Sequence, residues 1–257
     1  MRLQVIGSGS SGNSVIVSSG GTTLLVDMGF SCRKIKSAVV EFGVEAQDIS
    51  GVLITHDHSD HYKGLETFHK KYPEVPLYAN GNTADAICVY TKIEDWMIFE
   101  TAEEFSIGPF NITSFSISHD AADPVGYLID DGASRLFIGT DLGVVTLPVK
   151  VAFSQSDFAI LESNHDPELL MQSDRAFSLK QRISGRSGHL SNREAADLFR
   201  ETNPKNLKTL LLAHLSQECN KPHLAMEEMS LALAEHRRDD IFLATLEQDV
   251  PSQIFEF

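Results

Sequence analysis

The 257-residue sequence predicts an α/β protein in which two β-sheets pack together with helices outside. Three observations predict it. Short β-type runs separated by glycine and serine turns fill the first third, and a second set of runs fills the middle. Segments whose apolar residues recur at helical spacing stand between and after these runs.

In the first third, strands are expected at Leu3 to Ile6, Ser14 to Ser18, Thr22 to Val26 and Gly51 to Thr55, with helices at Ser31 to Phe42, Lys63 to Lys70 and Asn82 to Tyr90. The middle third offers strands at Phe105 to Ile107, Asn111 to Ser118, Val125 to Asp130 and Arg135 to Thr140. Gly108-Pro109 and Asp131-Gly132 break this set. A strand at Phe158 to Leu161 precedes one or two helices in Pro167 to Ile183. Ser191 and Glu194 then have the S-x-x-E spacing of a capping box that opens another helix. The strand Thr209 to Ala213 and a helix over Lys221 to His236, with Pro222 suited to its first turn, complete the series. No fixed-period repeat, low-complexity tract or Pro-rich linker interrupts the chain, so residues 1–257 are expected to form one domain.

Hydrophobic residues at 42% and charged residues at 22% exclude disordered and fibrous classes. Apolar runs such as Leu24 to Val26 and Leu210 to Ala213 fall far short of the roughly 20 residues of a membrane span. The N-terminus lacks the apolar core of a signal peptide, so a cytoplasmic location without membrane attachment is expected. Cys32, Cys88 and Cys219 are scattered without CxxC spacing, which fits a reducing compartment and suggests neither a disulfide framework nor a thiolate zinc site. The net charge of −15 argues against a broadly basic nucleic-acid surface. Bound divalent cations and the closely spaced Arg182, Arg186 and Arg193 would offset part of it locally.

The densest chemistry lies in Thr55-His56-Asp57-His58-Ser59-Asp60-His61, directly after the apolar run Val52 to Ile54. Neutral imidazole and carboxylate are the usual ligands of Zn²⁺ and similar ions. An H-x-H pair in extended chain can aim two rings at one ion, while the following turn offers Asp60 and His61 to another. Four ligands do not suffice for two ions, so others are required. His119, Asp141 and His214 close the strands Ile112 to Ser118, Leu136 to Thr140 and Leu210 to Ala213.

With Asp27 placed after an apolar strand, then H-x-H-x-D-H, a histidine, an aspartate and a histidine, the sequence resembles the metallo-β-lactamase superfamily over Asp27 to His214. The resemblance implies a four-layer αββα sandwich with two divalent ions at one edge. It implies His56, His58 and His119 on the first ion, Asp60, His61 and His214 on the second, and Asp141 bridging them. Asp27 would orient the histidine loop from behind. Zn²⁺ suits this donor set best, and Mn²⁺ or Fe is also admitted. Two ions roughly 3.5 to 4 Å apart can share and activate a water, so no side-chain nucleophile is needed.

The metal set alone does not choose among β-lactams, thioesters and phosphodiesters. A phosphodiester leaves as an alkoxide, and a histidine backed by a carboxylate suits its protonation. Glu162 and His189 offer such a pair, similar to the Glu and Gly-His pair of tRNA 3′-processing endonucleases in this superfamily. Asp60, Glu162 and His189 are thus the expected catalytic side chains. The segments Gly7 to Ser14, Glu162 to Asp166, Gly188 to Asn192 and Ala213 to Asn220 resemble the YycJ/WalJ group, which implies 5′→3′ exonuclease action on DNA ends. Ser11, Asn13, His165 and Ser191 are the candidate substrate contacts. Hydrolysis of small cyclic or activated phosphodiesters is the alternative. From another class, a thioester hydrolase would keep the ions but need a recognisable thiol-substrate site, and a non-catalytic metal-binding protein would not need so full a ligand set.

Overall fold

A computed structural model describes residues 1–257. The first sheet begins as an antiparallel meander of β1 (Arg2–Gly7), β2 (Ser14–Ser19) and β3 (Thr22–Val26). It continues in parallel through β4 (Gly51–Leu53), β5 (Leu77–Asn80) and β6 (Trp96–Phe99). The second sheet repeats that plan. Here β7 (Glu104–Ile107), β8 (Phe110–Ser116), β9 (Val125–Asp130) and β10 (Arg135–Gly139) are antiparallel, and β11 (Phe158–Glu162), β12 (Thr209–Ala213) and β13 (Phe242–Thr245) follow in parallel. A terminal β14 (Phe255–Glu256) returns to β1, so each sheet has seven strands.

Parallel neighbours need crossover connections, and these are the helices. On the first sheet they are α1 (Cys32–Phe42), α2 (Ser59–Tyr62), α3 (Leu65–Lys71) and α4 (Gly81–Thr91). On the second they are α5 (Leu147–Ser154), α6 (Pro167–Gln172), α7 (Phe177–Ile183), α8 (Asn192–Thr202) and α9 (Pro222–Glu235). None is long and apolar enough to cross a membrane.

Adjacent strand residues point to opposite faces, and the core divides accordingly. Leu24, Val26 and Leu53 of the first sheet meet Ile129, Ile138, Ile160 and Leu211 of the second in the central layer. Leu25, Val52 and Leu77 instead pack outward on Ile35, Val39, Phe68 and Ile87 of the helices. Leu210 and Leu212 pack outward on Ala195, Phe199 and Met229. The result is the αββα sandwich implied by the resemblance. Ser31 caps α1, accepting the Lys34 N–H, and Ser191 with Glu194 forms both hydrogen bonds of the capping box opening α8.

Six elements escape the sequence patterns: α2, β5, β6, α5, β13 and β14. Edge strand β6 leaves Met97 and Ile98 exposed, so no alternation marks it. In α5 only Val149, Ala152 and Phe153 are buried while Leu147 is exposed, which blurs the helical period. Three strands stop short of the expected bounds, at Leu53, Ser116 and Gly139. Thr55, Ser118 and Thr140 lie beyond them, where the chain turns toward the histidine and aspartate cluster.

Candidate metal centre

The first half of the cluster is built on Asp27, just past β3, in the left-handed region at φ 63°. This conformation costs a non-glycine residue of order 1–3 kcal/mol. Its N–H donates to the Leu53 carbonyl at 2.8 Å, which joins the ends of β3 and β4. The Asp27 carboxylate accepts the Thr55 N–H at 2.9 Å and the Thr55 hydroxyl, and it lies 2.7 Å from His61 Nδ1. The Thr55 hydroxyl is also 3.0 Å from His56 Nδ1. Both rings are thereby held by Nδ1, leaving Nε2 to face the cluster. The turn Gly12 to Asn13 seals the loop from behind, with Asn13 N–H donating to the Asp60 carbonyl at 2.8 Å. Only glycine fits at Gly29, since a Cβ there would collide with that same carbonyl.

The second half is built on Glu162, the last residue of β11 and fully buried. One oxygen accepts the N–H groups of Leu142 at 2.7 Å and Leu190 at 3.1 Å. The other lies 2.9 Å from Nδ1 of both His189 and His214. His119 uses its Nδ1 on the Gly188 carbonyl at 3.0 Å. Asp141 after β10 and His214 after β12 are left-handed like Asp27, at φ 60° and 56°. Three strand ends thus bend sharply to present a side chain, at the carboxyl edge where open α/β sheets gather their ligands.

Four overlapping donor groups result, one of them Asp141, Glu162, His189 and His214, and two match the sets expected from sequence. Nitrogens of His56, His58 and His119 lie within 4.8 Å of one another, as do donor atoms of Asp60, His61 and His214. Asp141 stands between the sets, with Oδ2 3.2 Å from His61 Nε2 and Oδ1 3.8 Å from His119 Nε2. His56 Nε2, Asp141 Oδ2 and His214 Nε2 are buried and have no hydrogen-bond partner. Buried polar atoms are nearly always paired, so three converging orphans in a nitrogen and oxygen donor set fit bound cations.

The electrostatics agree. Burial alone would push His61 and His214 down, but Asp27 and Asp141 on the first, and Asp141, Asp60 and Glu162 on the second, hold both above the usual imidazole range. Burial opposes the charge on Asp141, which the neighbouring His214 and His61 nonetheless hold well below the carboxylate range. Burial and the charge of His61 push His56 well down, so it is a neutral donor. Without metal, protons supply the positive charge this carboxylate cluster demands; divalent cations would displace them.

The seven ligands expected from sequence therefore converge, with Asp27 behind one set and Glu162 behind the other. His189 sits beside them, its Nδ1 3.5 Å from Asp141 Oδ1. The candidate substrate contacts are placed differently. Asn13 is 5% exposed and directs its amide at His61 Nε2 (3.1 Å) and Asp60 Oδ2 (3.4 Å), so it packs against the ligands. The Ser191 hydroxyl is engaged in the α8 cap. His165 is buried outside both donor sets, and its backbone bridges Ser191. Only Ser11 is partly open, 3.3 Å from Asp249, with its carbonyl accepting the Lys63 ammonium. Sequence reasoning missed Thr55 and Asn164, whose amide donates to the His214 carbonyl at 2.7 Å. Thr55 had a signal in its place directly before the first histidine; Asn164 had none.

Residues 22–215 match the family model described as beta-lactamase superfamily domain. The chain belongs to the metallo-β-lactamase superfamily. It is 34% identical to a protein of Bacillus anthracis named exodeoxyribonuclease YycJ, over 91% of this chain and 90% of that one. It is 36% identical to exodeoxyribonuclease WalJ of Streptococcus pneumoniae (serotype 2, strain D39), over 91% and 88%. The metallo-β-lactamase fold protein YhfI of Bacillus subtilis superposes with a TM-score of 0.71 at 19% identity, covering 100% of this chain and 99% of that one, which speaks for the fold. As a superfamily member the chain is a hydrolase, and the family fold implies divalent metal ions held by the His and Asp cluster.

Proposed function

We propose that this hydrolase is a two-metal phosphodiesterase acting as a 5′→3′ exonuclease on DNA ends. The observation that carries the reading is the pair of His189 and buried Glu162, hydrogen-bonded at 2.9 Å beside the donor sets. Such a pair supplies a proton, which an alkoxide leaving group needs. The names of the YycJ and WalJ relatives support DNA as the substrate.

In this reading His56, His58 and His119 would hold one ion and Asp60, His61 and His214 the other, with Asp141 available to both. Zn²⁺ fits the donors best, with Mn²⁺ or Fe admitted. The bound pair would lower the pKa of water and neutralise charge building on the phosphoryl oxygens. Asp60 directs Oδ2 toward His61 and His214, which leaves Oδ1 to accept a hydrogen of the attacking water. The water oxygen forms a bond to phosphorus while the P–O3′ bond breaks, its electron pair staying on O3′. His189 then passes its Nε2 proton to O3′, and Glu162 stabilises the imidazolium beforehand and recovers a neutral ring afterward. Burial opposes that charge, yet the Glu162 carboxylate and its hydrogen bond hold His189 above the usual imidazole range. Solvent restores the proton. The chain works in the cytoplasm in this reading.

Exchanging His189 for Ala is expected to cut DNA turnover by 10²–10⁴-fold while metal content stays unchanged. Bis-p-nitrophenyl phosphate, whose leaving group needs no proton, is expected to lose far less. Equal rates on DNA for variant and wild type would refute the acid role. One observation favours a second reading, hydrolysis of small phosphodiesters: the net charge of −15 repels a polyanion. Activity on the small ester with none on 5′-phosphorylated oligonucleotides would support it.

A further inference from the structure

We infer that Arg186 is the residue that reads the 5′-terminal phosphate of the DNA, and so sets the end from which digestion starts. The inference rests on the exonuclease reading and extends it. If His189 protonates O3′, the nucleotide leaving on its side is the terminal one, and that nucleotide carries the free 5′-phosphate. A cation that selects this end must therefore stand on the His189 side of the donor sets.

The loop from Ser184 to Gly188 occupies that side and is pinned by its backbone. The Ser118 hydroxyl donates to the Arg186 carbonyl at 2.6 Å, and His119 Nδ1 donates to the Gly188 carbonyl. Gly143, two residues past Asp141, packs so close that a Cβ would collide with the Arg186 carbonyl. His189 N–H closes the loop on the Ile183 carbonyl at 2.8 Å. Arg186 is thus held between the segments that present His119, Asp141 and His189, while its side chain is exposed.

Its neighbours in sequence are placed less well for a phosphate. Arg182 is paired with Asp120 at 2.7 Å. Arg193 lines a cleft with Asp166, Glu168, Glu227 and Glu228, whose carboxylates would repel a phosphate. Arg186 takes part in no ion pair, so in a chain of net charge −15 it is the uncompensated guanidinium beside the candidate centre. A terminal phosphate monoester bears nearly two negative charges and three oxygens, which a planar guanidinium meets with two parallel hydrogen bonds. An internal phosphodiester offers less charge, so the contact discriminates ends.

The test compares kcat/KM of the metal-loaded full chain on one oligonucleotide bearing either a 5′-phosphate or a 5′-hydroxyl. The wild type is expected to prefer the phosphate by about ten- to a hundredfold, the value of one charge-assisted contact. In R186A that ratio is expected to collapse toward one, and in R186K to fall between, since lysine keeps the charge and loses the fork. R193A is expected to keep the wild-type ratio. Equilibrium binding of the 5′-phosphorylated strand should weaken in R186A with a shallower salt dependence. A wild type indifferent to the 5′-phosphate, or an R186A that retains the preference, overturns the inference while leaving the nuclease reading standing. A wild type that cuts the small ester but no DNA overturns both.

Discussion

Asp27 and Glu162 are both buried carboxylates at the carboxyl end of a strand, one in each sheet, and both hold imidazole rings through Nδ1. The Asp27 carboxylate serves His61 and accepts its remaining hydrogen bonds from Thr55, so everything it orients belongs to the histidine loop. Glu162 shares a single oxygen between His214, an expected ligand, and His189, which is not among the expected ligands although its donor atom lies close to those of Asp141 and His214. The second oxygen is fixed by the Leu142 and Leu190 N–H groups. In the proposed reading the first sheet builds a place for cations alone, and the second ties a cation site to a proton donor. A fold that hosts many reactions can change chemistry at the Glu162 side without disturbing the Asp27 side.

The largest expected effect follows from the double duty of Glu162. E162Q keeps the shape but removes the charge that both rings share. Turnover on DNA is expected to fall by 10²–10⁴-fold, and affinity for one of two metal equivalents by about 10–100-fold, as measured by steady-state kinetics and metal titration. A variant within a few-fold of wild type in both would break the comparison. D27N is the matched experiment. It is expected to weaken metal binding by about 10–100-fold yet to recover most turnover once metal is saturating, because His189 is untouched. Failure to recover at saturation would place Asp27 in the chemistry as well.

The pH profile sharpens the same contrast. Burial alone would depress His189, but Glu162 outweighs it and lifts the ring above its usual 6.5. The donating form is therefore filled below that raised value and lost as pH rises through it, which gives kcat on DNA an alkaline limb. The limb is expected to move to lower pH in E162Q, to stay in place in D27N and to vanish in H189A. The smallest effect concerns Ser191. Its hydroxyl caps α8, so S191A is expected to cost about 1 kcal/mol of stability in thermal or urea melts while KM for DNA is unchanged. A raised KM at unchanged stability would make Ser191 a substrate contact instead.

Most of the strands and the four ligand candidates of the histidine loop were legible because each rests on a local signal. Short continuous apolar runs mark β3 and β12, and H-x-H-x-D-H has little structural use for so many imidazoles. His119, Asp141 and His214 were each readable only as strand-end residues in a set. What joins them was not legible: the left-handed turns at Asp27, Asp141 and His214 are backbone states that no side-chain pattern announces. Glu162 was readable as the partner of His189, but its second ring, His214, depends on β11 and β12 being parallel neighbours in register. Asn13 looked like a loop residue open to substrate, since nothing local reveals that Gly29 and Asp60 close over it. Edge strand β6 and the two-residue β14 carry too little buried surface to leave a pattern.

Two cations per chain is the claim on which the rest depends, and metal analysis by plasma mass spectrometry on the purified, dialysed protein measures it directly. Two equivalents per chain are expected in the wild type and in H189A, with close to one in H214A. A fully active wild type carrying one equivalent or none would contradict the two-metal centre.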